Sequence, residues 1–150
     1  MAPAAAPIAL ATVDEPAAPA PIFAPAEHLD LHVRRFRGRL ARHRLLRAAG
    51  TADVSGELAS VEHRLARLEA ELAARLAVSD PELLPIEQLQ RRFGLTDLGL
   101  QLLIAAAAPG LDLTAAREIT ALNADRTQCE VGFLCEVLAD NALEHDTLLD

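Results

Sequence analysis

The stretch from Leu84 to Asp140, LPIEQLQRRFGLTDLGLQLLIAAAAPGLDLTAAREITALNADRTQCEVGFLCEVLAD, decides the fold, because almost every boundary in it is written in side-chain chemistry. Pro85 suits a first helical position, and a helix carrying Ile86, Leu89 and Arg92 to Phe93 is closed by Gly94, where a helix C-terminus favours positive φ. Thr96-Asp97 opens a second helix, Leu98 to Ala108, whose continuous apolar surface predicts central burial and which Pro109-Gly110 is expected to stop. Asp112 is placed to cap a short helix around Ala115 to Leu122. Thr127 and Glu130 form a capping box in sequence. The last helix is therefore expected from about Gln128 to Ala139, with Val131, Leu134, Cys135 and Leu138 buried.

Upstream, Asp80-Pro81-Glu82 is a further helix start. Before it lie two longer periodic segments. From Glu27 to about Ala49, Leu29, Val33, Phe36 and Leu40 recur at helical spacing, and Leu45 and Leu46 continue the apolar side to Gly50. From about Val54 to Ala77, Leu58, Val61, Leu65, Leu68 and Leu72 repeat at the three-and-four spacing of a and d positions, with Leu76 extending the face. Joined by the short turn around Gly50 to Asp53, the two segments predict an antiparallel, coiled-coil-like helical hairpin over 27–78. Residues 1–26 are an Ala/Pro-rich tract broken by Pro3, Pro7, Pro16, Pro19, Pro21 and Pro25, read as a disordered tail. Pro21-Ile22-Phe23 within it is a weaker candidate for a tethered docking peptide. The fold class is all-α: tail, hairpin, and a compact bundle of short helices over 79–150 that is expected to continue past the chain end. Short helices joined by tight turns are also how helix-turn-helix and winged-helix modules read, although no β-wing is legible near Ala124 to Thr127.

Composition narrows the chemistry. The cations are all Arg, which removes a phosphate-loop, Schiff-base or general-base lysine. No HExxH, CxxC or GxSxG pattern is present, and no catalytic residue is assigned. The net charge of -8 opposes binding of the whole chain to nucleic acid or to an anionic membrane. The charge is uneven, however: Arg34, Arg35, Arg37, Arg39, Arg42, Arg44 and Arg47 crowd the first helix, while residues 128–150 hold six acids and no Arg. The seven Arg are the candidate interaction residues. Set against them is neutralisation by the second helix, which carries Glu57, Glu62, Glu69 and Glu71, and no aromatic residues interleave with the Arg for base stacking.

His28 and His32 lie four apart, with Glu27 and Asp30 nearby, a spacing compatible with a metal. Helical His pairs without a third strong ligand are mostly surface decoration, and neither a metal nor a cofactor is assigned to the chain. Cys129 and Cys135 stand about 9 Å apart by helical rise, too far for a disulfide, and read as free thiols in a reducing cytoplasm. The N-terminus lacks a basic leader region, and no apolar run is long enough to cross a bilayer. The expected location is cytoplasmic.

The phrases of residues 84–140 also carry a family likeness. Arg92-Phe93-Gly94-Leu95-Thr96, Leu102-Leu103, Ala108-Pro109 with Leu111-Asp112, Asp125-Arg126, and Val131-Gly132 with Leu134 resemble the winged-helix-variant domain that precedes the ATPase module in AAA+ ATPases of bacterial contractile injection systems. Leu98-Gly99 departs from that pattern where an acid is common, Gly110 stands for a typical Glu, and Ala121 to Ala124 lacks the usual Tyr and second Asp. The resemblance implies a non-catalytic N-terminal interaction domain, with ATP and Mg handled only by a downstream module. Its markers, Phe93, Gly94, Leu95, Pro109, Asp112, Asp125 and Gly132, are turn and core positions rather than catalytic ones. The implied partner is another protein or the chain's own ATPase module. The rivals are a stand-alone DNA-binding regulator and a self-associating coiled-coil adaptor.

Overall fold

The computed structural model describes residues 22–50, 53–123 and 130–138. The Ala/Pro tract up to Pro21, Asp125, Cys129, the Thr127 capping position, the Ala124 to Thr127 stretch and the acidic end lie outside the described residues. All regular structure among those described is helical, as composition predicts.

The first helix, α1, spans Pro25–Ala48 and starts two residues earlier than expected. Pro25 occupies its first turn, and the Glu27 carboxylate reaches back to accept the Ala24 N–H at 3.2 Å. Phe23, just before it, is buried at 6% exposure rather than belonging to a tail. After the turn, the Asp53 carboxylate accepts both the N–H and the hydroxyl of Ser55, at 3.2 and 2.6 Å, to open α2, Ser55–Val78. The two helices pair antiparallel, with Glu27 opposite Arg75 at one end and Arg42 opposite Glu62 towards the other. A Cβ on Gly38 would stand 2.6 Å from Leu65 Cδ2, so the missing side chain lets the two helices approach closely at this point.

A 3-10 turn at Pro81–Leu83 is capped by Asp80, which accepts the Glu82 N–H at 2.9 Å. Then come α3, Pro85–Phe93, and α4, Asp97–Leu111. Gly94 closes α3 at φ 61, with the Leu95 N–H returning to the Gln90 carbonyl at 2.9 Å, and Thr96 caps α4 by accepting the Gly99 N–H at 3.0 Å. Pro109 does not stop α4. The helix runs on to Leu111, since a proline in the final turn surrenders only one backbone donor. The break comes at Asp112, whose extended backbone turns the chain through 108° into α5, Leu113–Leu122. Asp112 then caps α5, accepting the Thr114 N–H at 2.7 Å. The last described helix, α6, is Val131–Leu138.

α1 is the central strut. Phe36 and Leu40 pack with Ala105, Ala108, Ala115, Ile119, Phe133, Leu134, Val137 and Leu138 in one cluster, so a single helix serves both the hairpin and the short-helix bundle. The fully buried Ala105, Ala108 and Ala115 let α4 and α5 come close to the larger α1 residues. On the other flank, Val33 meets Leu100 and Ile104, with Ile86 of α3 against them.

Two burial expectations are corrected. Val131 is 67% exposed, and Phe133 and Val137 join Leu134, Cys135 and Leu138 on the buried side. Helical side chains lean towards the N-terminus, which carries a first-turn residue past the end of its neighbours. The apolar α4 buries one face only: Leu100, Ile104, Ala105 and Ala108 are inside, while Leu103 is 42% exposed.

Leu40 is 1% exposed in the central cluster, and Leu46 on the same helix is 44% exposed. Leu40→Ala is expected to cost about 2–5 kcal/mol in urea unfolding, and Leu46→Ala within about 0.5 kcal/mol.

Candidate functional site

Every candidate residue on α1 is positioned by the burial of that helix. Its arginines radiate into the surrounding elements. Arg35 reaches Asp97 at 3.5 Å, Arg37 reaches Asp112 at 3.3 Å and Glu118 at 3.8 Å, Arg39 reaches Glu69 at 3.4 Å, and Arg42 reaches Glu62 at 3.5 Å. Arg39 also donates to the Leu138 carbonyl at 3.1 Å, and Arg47 to the Leu122 carbonyl at 3.2 Å. The Leu122 carbonyl stands at the C-terminus of α5, where a cation is favoured. Arg34 pairs along its own helix with Asp30 at 3.7 Å. Arg44 is exposed and faces a groove of about 370 Å³ lined by Arg34, Arg37 and Arg64, with Val61 and Leu65 among its apolar walls. The row that sequence marks as one interaction patch is therefore divided. Arg35 and Arg39 are buried fasteners, and Arg44 is available at the surface.

The family-marker positions divide in the same way. Gly94 and Asp112 occupy the capping roles expected of them, Leu95 is half-buried, and Pro109 lies inside α4. The Thr114 N–H and the nearby Arg37 hold the Asp112 carboxyl below the ordinary aspartate range. Phe93, read as a core position, is 67% exposed, and Gly132 is exposed as well. Phe93 follows Leu89, 38% exposed, by one helical turn, so α3 carries a short apolar stripe on its outer side while Ile86 packs inward. Gly94 ends the helix at Phe93, and that termination leaves the ring without a covering turn.

The histidine pair is not surface decoration. His28 is 0% and His32 4% exposed, because α3 and α4 cover this side of α1. Their Nε2 atoms face one another at 3.1 Å, and Glu87 of α3 brings a carboxylate oxygen to 3.6 Å from His28 Nε2. The nearby acids legible in sequence are used elsewhere: Glu27 binds Arg75 at 2.6 Å, and Asp30 pairs with Arg34. Glu87 lies far along the chain, and no sequence spacing announces it. Phe23 stacks against His28 with centroids 4.8 Å apart, and the Arg75 guanidinium sits 4.1 Å from the Phe23 ring. The Ala24 N–H and Arg75 together hold the Glu27 carboxyl below its ordinary range.

Burial, assisted by neighbouring His28 and Arg35 against the opposing pull of Asp97, pushes His32 down to about 4. Burial also lowers His28, with Arg75 adding to the effect. His43, beside Phe133, is lowered by burial despite the nearby Glu136 carboxylate.

The α4–α5 corner has the angle of a helix-turn-helix, but its second helix carries Arg117 beside Glu118 and no further charge. A helix of zero net charge is a poor reader of a DNA groove.

A model of the winged helix domain, variant family matches residues 26–145. The chain belongs to that family. No curated protein and no solved structure matches it.

Two tests follow from the buried polar groups. A histidine whose folded pKa is depressed is protonated first in the unfolded chain, so stability is lost as pH falls from 6.5 towards about 4. In chelator, His32 alone is expected to account for about 3 kcal/mol of that loss, and His32→Gln should flatten the slope of urea midpoints against pH. Arg39→Ala is expected to destabilise by about 2–3 kcal/mol, because it removes a buried charged hydrogen bond to the Leu138 carbonyl and the contact with Glu69, whereas Arg44→Ala should change the urea midpoint by less than about 0.5 kcal/mol.

Proposed function

We propose that this winged-helix variant is a non-catalytic protein-binding module, the cytoplasmic N-terminal domain of a AAA+ ATPase of the kind associated with contractile injection systems. On this reading ATP and Mg are handled by a downstream module, and the helical domain engages a partner or substrate protein, or the ATPase assembly itself. The supporting observation is where charge and apolar surface end up. Most of the α1 arginines contact carboxylates and carbonyls of neighbouring helices, and α3 presents Leu89 and Phe93 outward. An aromatic anchor beside an aliphatic one is the material of a protein contact, whereas DNA recognition draws on solvent-facing cations.

The apolar row of α2 faces α1, and its outer side carries no exposed large hydrophobic residue before Val78. That arrangement favours a different partner over a second copy joined through the hairpin. The Arg-lined groove beside Arg44 adds a cationic edge suited to an acidic partner surface.

The test begins with the coding region after Asp150, where a GxxxxGK[ST] loop and its acidic partner motif are expected in the same frame. In the whole product, removal of residues 1–150 should leave ATP hydrolysis and abolish partner engagement, and Phe93→Ser should weaken engagement at least tenfold without shifting the melting temperature. Saturable ATP hydrolysis by purified residues 1–150 overturns the non-catalytic assignment. Tight duplex binding that falls steeply with salt overturns the protein-binding one.

A further inference from the structure

We propose that His28, His32 and Glu87 form a transition-metal site of the zinc class that clasps α3 onto α1. The first support is distance. Zinc held at about 2.0–2.1 Å by tetrahedral ligands separates neighbouring donor atoms by about 3.3 Å. The His28 and His32 Nε2 atoms stand 3.1 Å apart, and His28 Nε2 is 3.6 Å from Glu87 Oε1, so these two edges bracket that value. All three donor atoms lie within 4.8 Å of one another. Small movements of the Glu87 side chain, which keeps 13% of its surface exposed, would complete the triangle and give an ion its way in.

The second support is charge. Most carboxylates that touch α1 meet an arginine, and Glu87 does not: among the described residues its one ionic neighbour is His28. The cations nearest the pair are already matched, Arg35 with Asp97 and Arg75 with Glu27 and Glu71. A largely buried carboxylate thus faces two imidazole nitrogens with no cation of its own. A divalent ion supplies that charge and uses both facing lone pairs at once.

The rival arrangement is an N–H···N hydrogen bond between the two rings. It leaves the Nδ1 atom of each ring buried without a hydrogen-bond partner. A metal on both Nε2 atoms leaves the same two atoms without partners, both then as N–H donors, so neither state satisfies the Nδ1 positions. Two imidazoles and one carboxylate suit zinc and its neighbours in the first transition series, and they do not suit calcium or magnesium, which take oxygen ligands. Three protein ligands leave one of zinc's four positions to water. Such an ion joins α1 and α3 through side chains far apart in sequence and holds the Leu89–Phe93 stripe in place from behind.

The test uses tag-free chain stripped with chelator and titrated with ZnCl2 or CoCl2. One ion per chain is expected, with the visible absorbance of tetrahedral Co2+ and no thiolate charge-transfer band. A hundredfold excess of zinc over its Kd should raise the melting temperature by about 5–10 °C. Glu87→Gln keeps the side-chain shape and should leave the metal-free melting temperature in place while weakening zinc at least tenfold. His32→Gln should abolish one-to-one binding. Absence of saturable binding overturns the site, as does a thiolate band, or binding that neither substitution changes.

Discussion

A helix bearing seven arginines and three histidines sits at the middle of this protein, and the remaining elements are arranged to make that tolerable. Ten α1 residues are buried, and half of them are polar: His28, His32, Arg35, Arg39 and His43. A buried cation without partners costs several kcal/mol, so each neighbouring helix must bring a carboxylate or a free carbonyl to a fixed place. Asp97 opens α4 and serves Arg35. Asp112 caps α5 and serves Arg37. The Leu138 carbonyl ends the described part of α6 and serves Arg39. At Asp112 one carboxylate serves both needs, since Oδ1 accepts the Thr114 N–H to cap α5 and Oδ2 faces Arg37.

This double use explains which parts of the fold are legible in the sequence. Boundaries set by local chemistry can be read directly: Gly94 at positive φ, Thr96 and Asp112 as caps, and Pro85 in a first turn, whereas Pro25, which reads as part of the tail, opens α1. The hairpin follows from the spacing of Val61, Leu65 and Leu72 against α1. What cannot be read is the layer that depends on packing partners distant in sequence. The pairing of the arginine row with the acids of α2 is legible and is met by Arg39 with Glu69 and Arg42 with Glu62, but nothing local shows that α4 and α5 also take Arg35, Arg37 and Arg47. Phe93 looks like core because an aromatic beside a capping glycine often is, yet the helix ends there and the ring stays outside. Pro109 shows the limit of a residue-by-residue stop signal, since the penalty for a proline depends on how much helix remains beyond it.

The histidines follow the same pattern. Their four-residue spacing is visible, but their neighbour Glu87 belongs to another helix, and the two acids beside them in sequence are drawn to Arg75 and Arg34. A ligand set built across helices has no motif. It can be found only when burial, separation and charge are considered together, and the likeness to a winged-helix variant speaks to the frame that holds the set rather than to the set itself.

The position of α1 also imposes an order on synthesis. Its partner α2 follows at once, but Phe133, which shares a cluster with Leu40, emerges roughly ninety residues later. At ordinary translation speeds that interval lasts about 5–20 s. Until α4 and α5 have been made the nascent chain is a charged hairpin with one apolar side uncovered, and after that the face that takes Phe133 is still open. The same charges that are later neutralised inside the protein keep the half-made chain soluble until α6 is added.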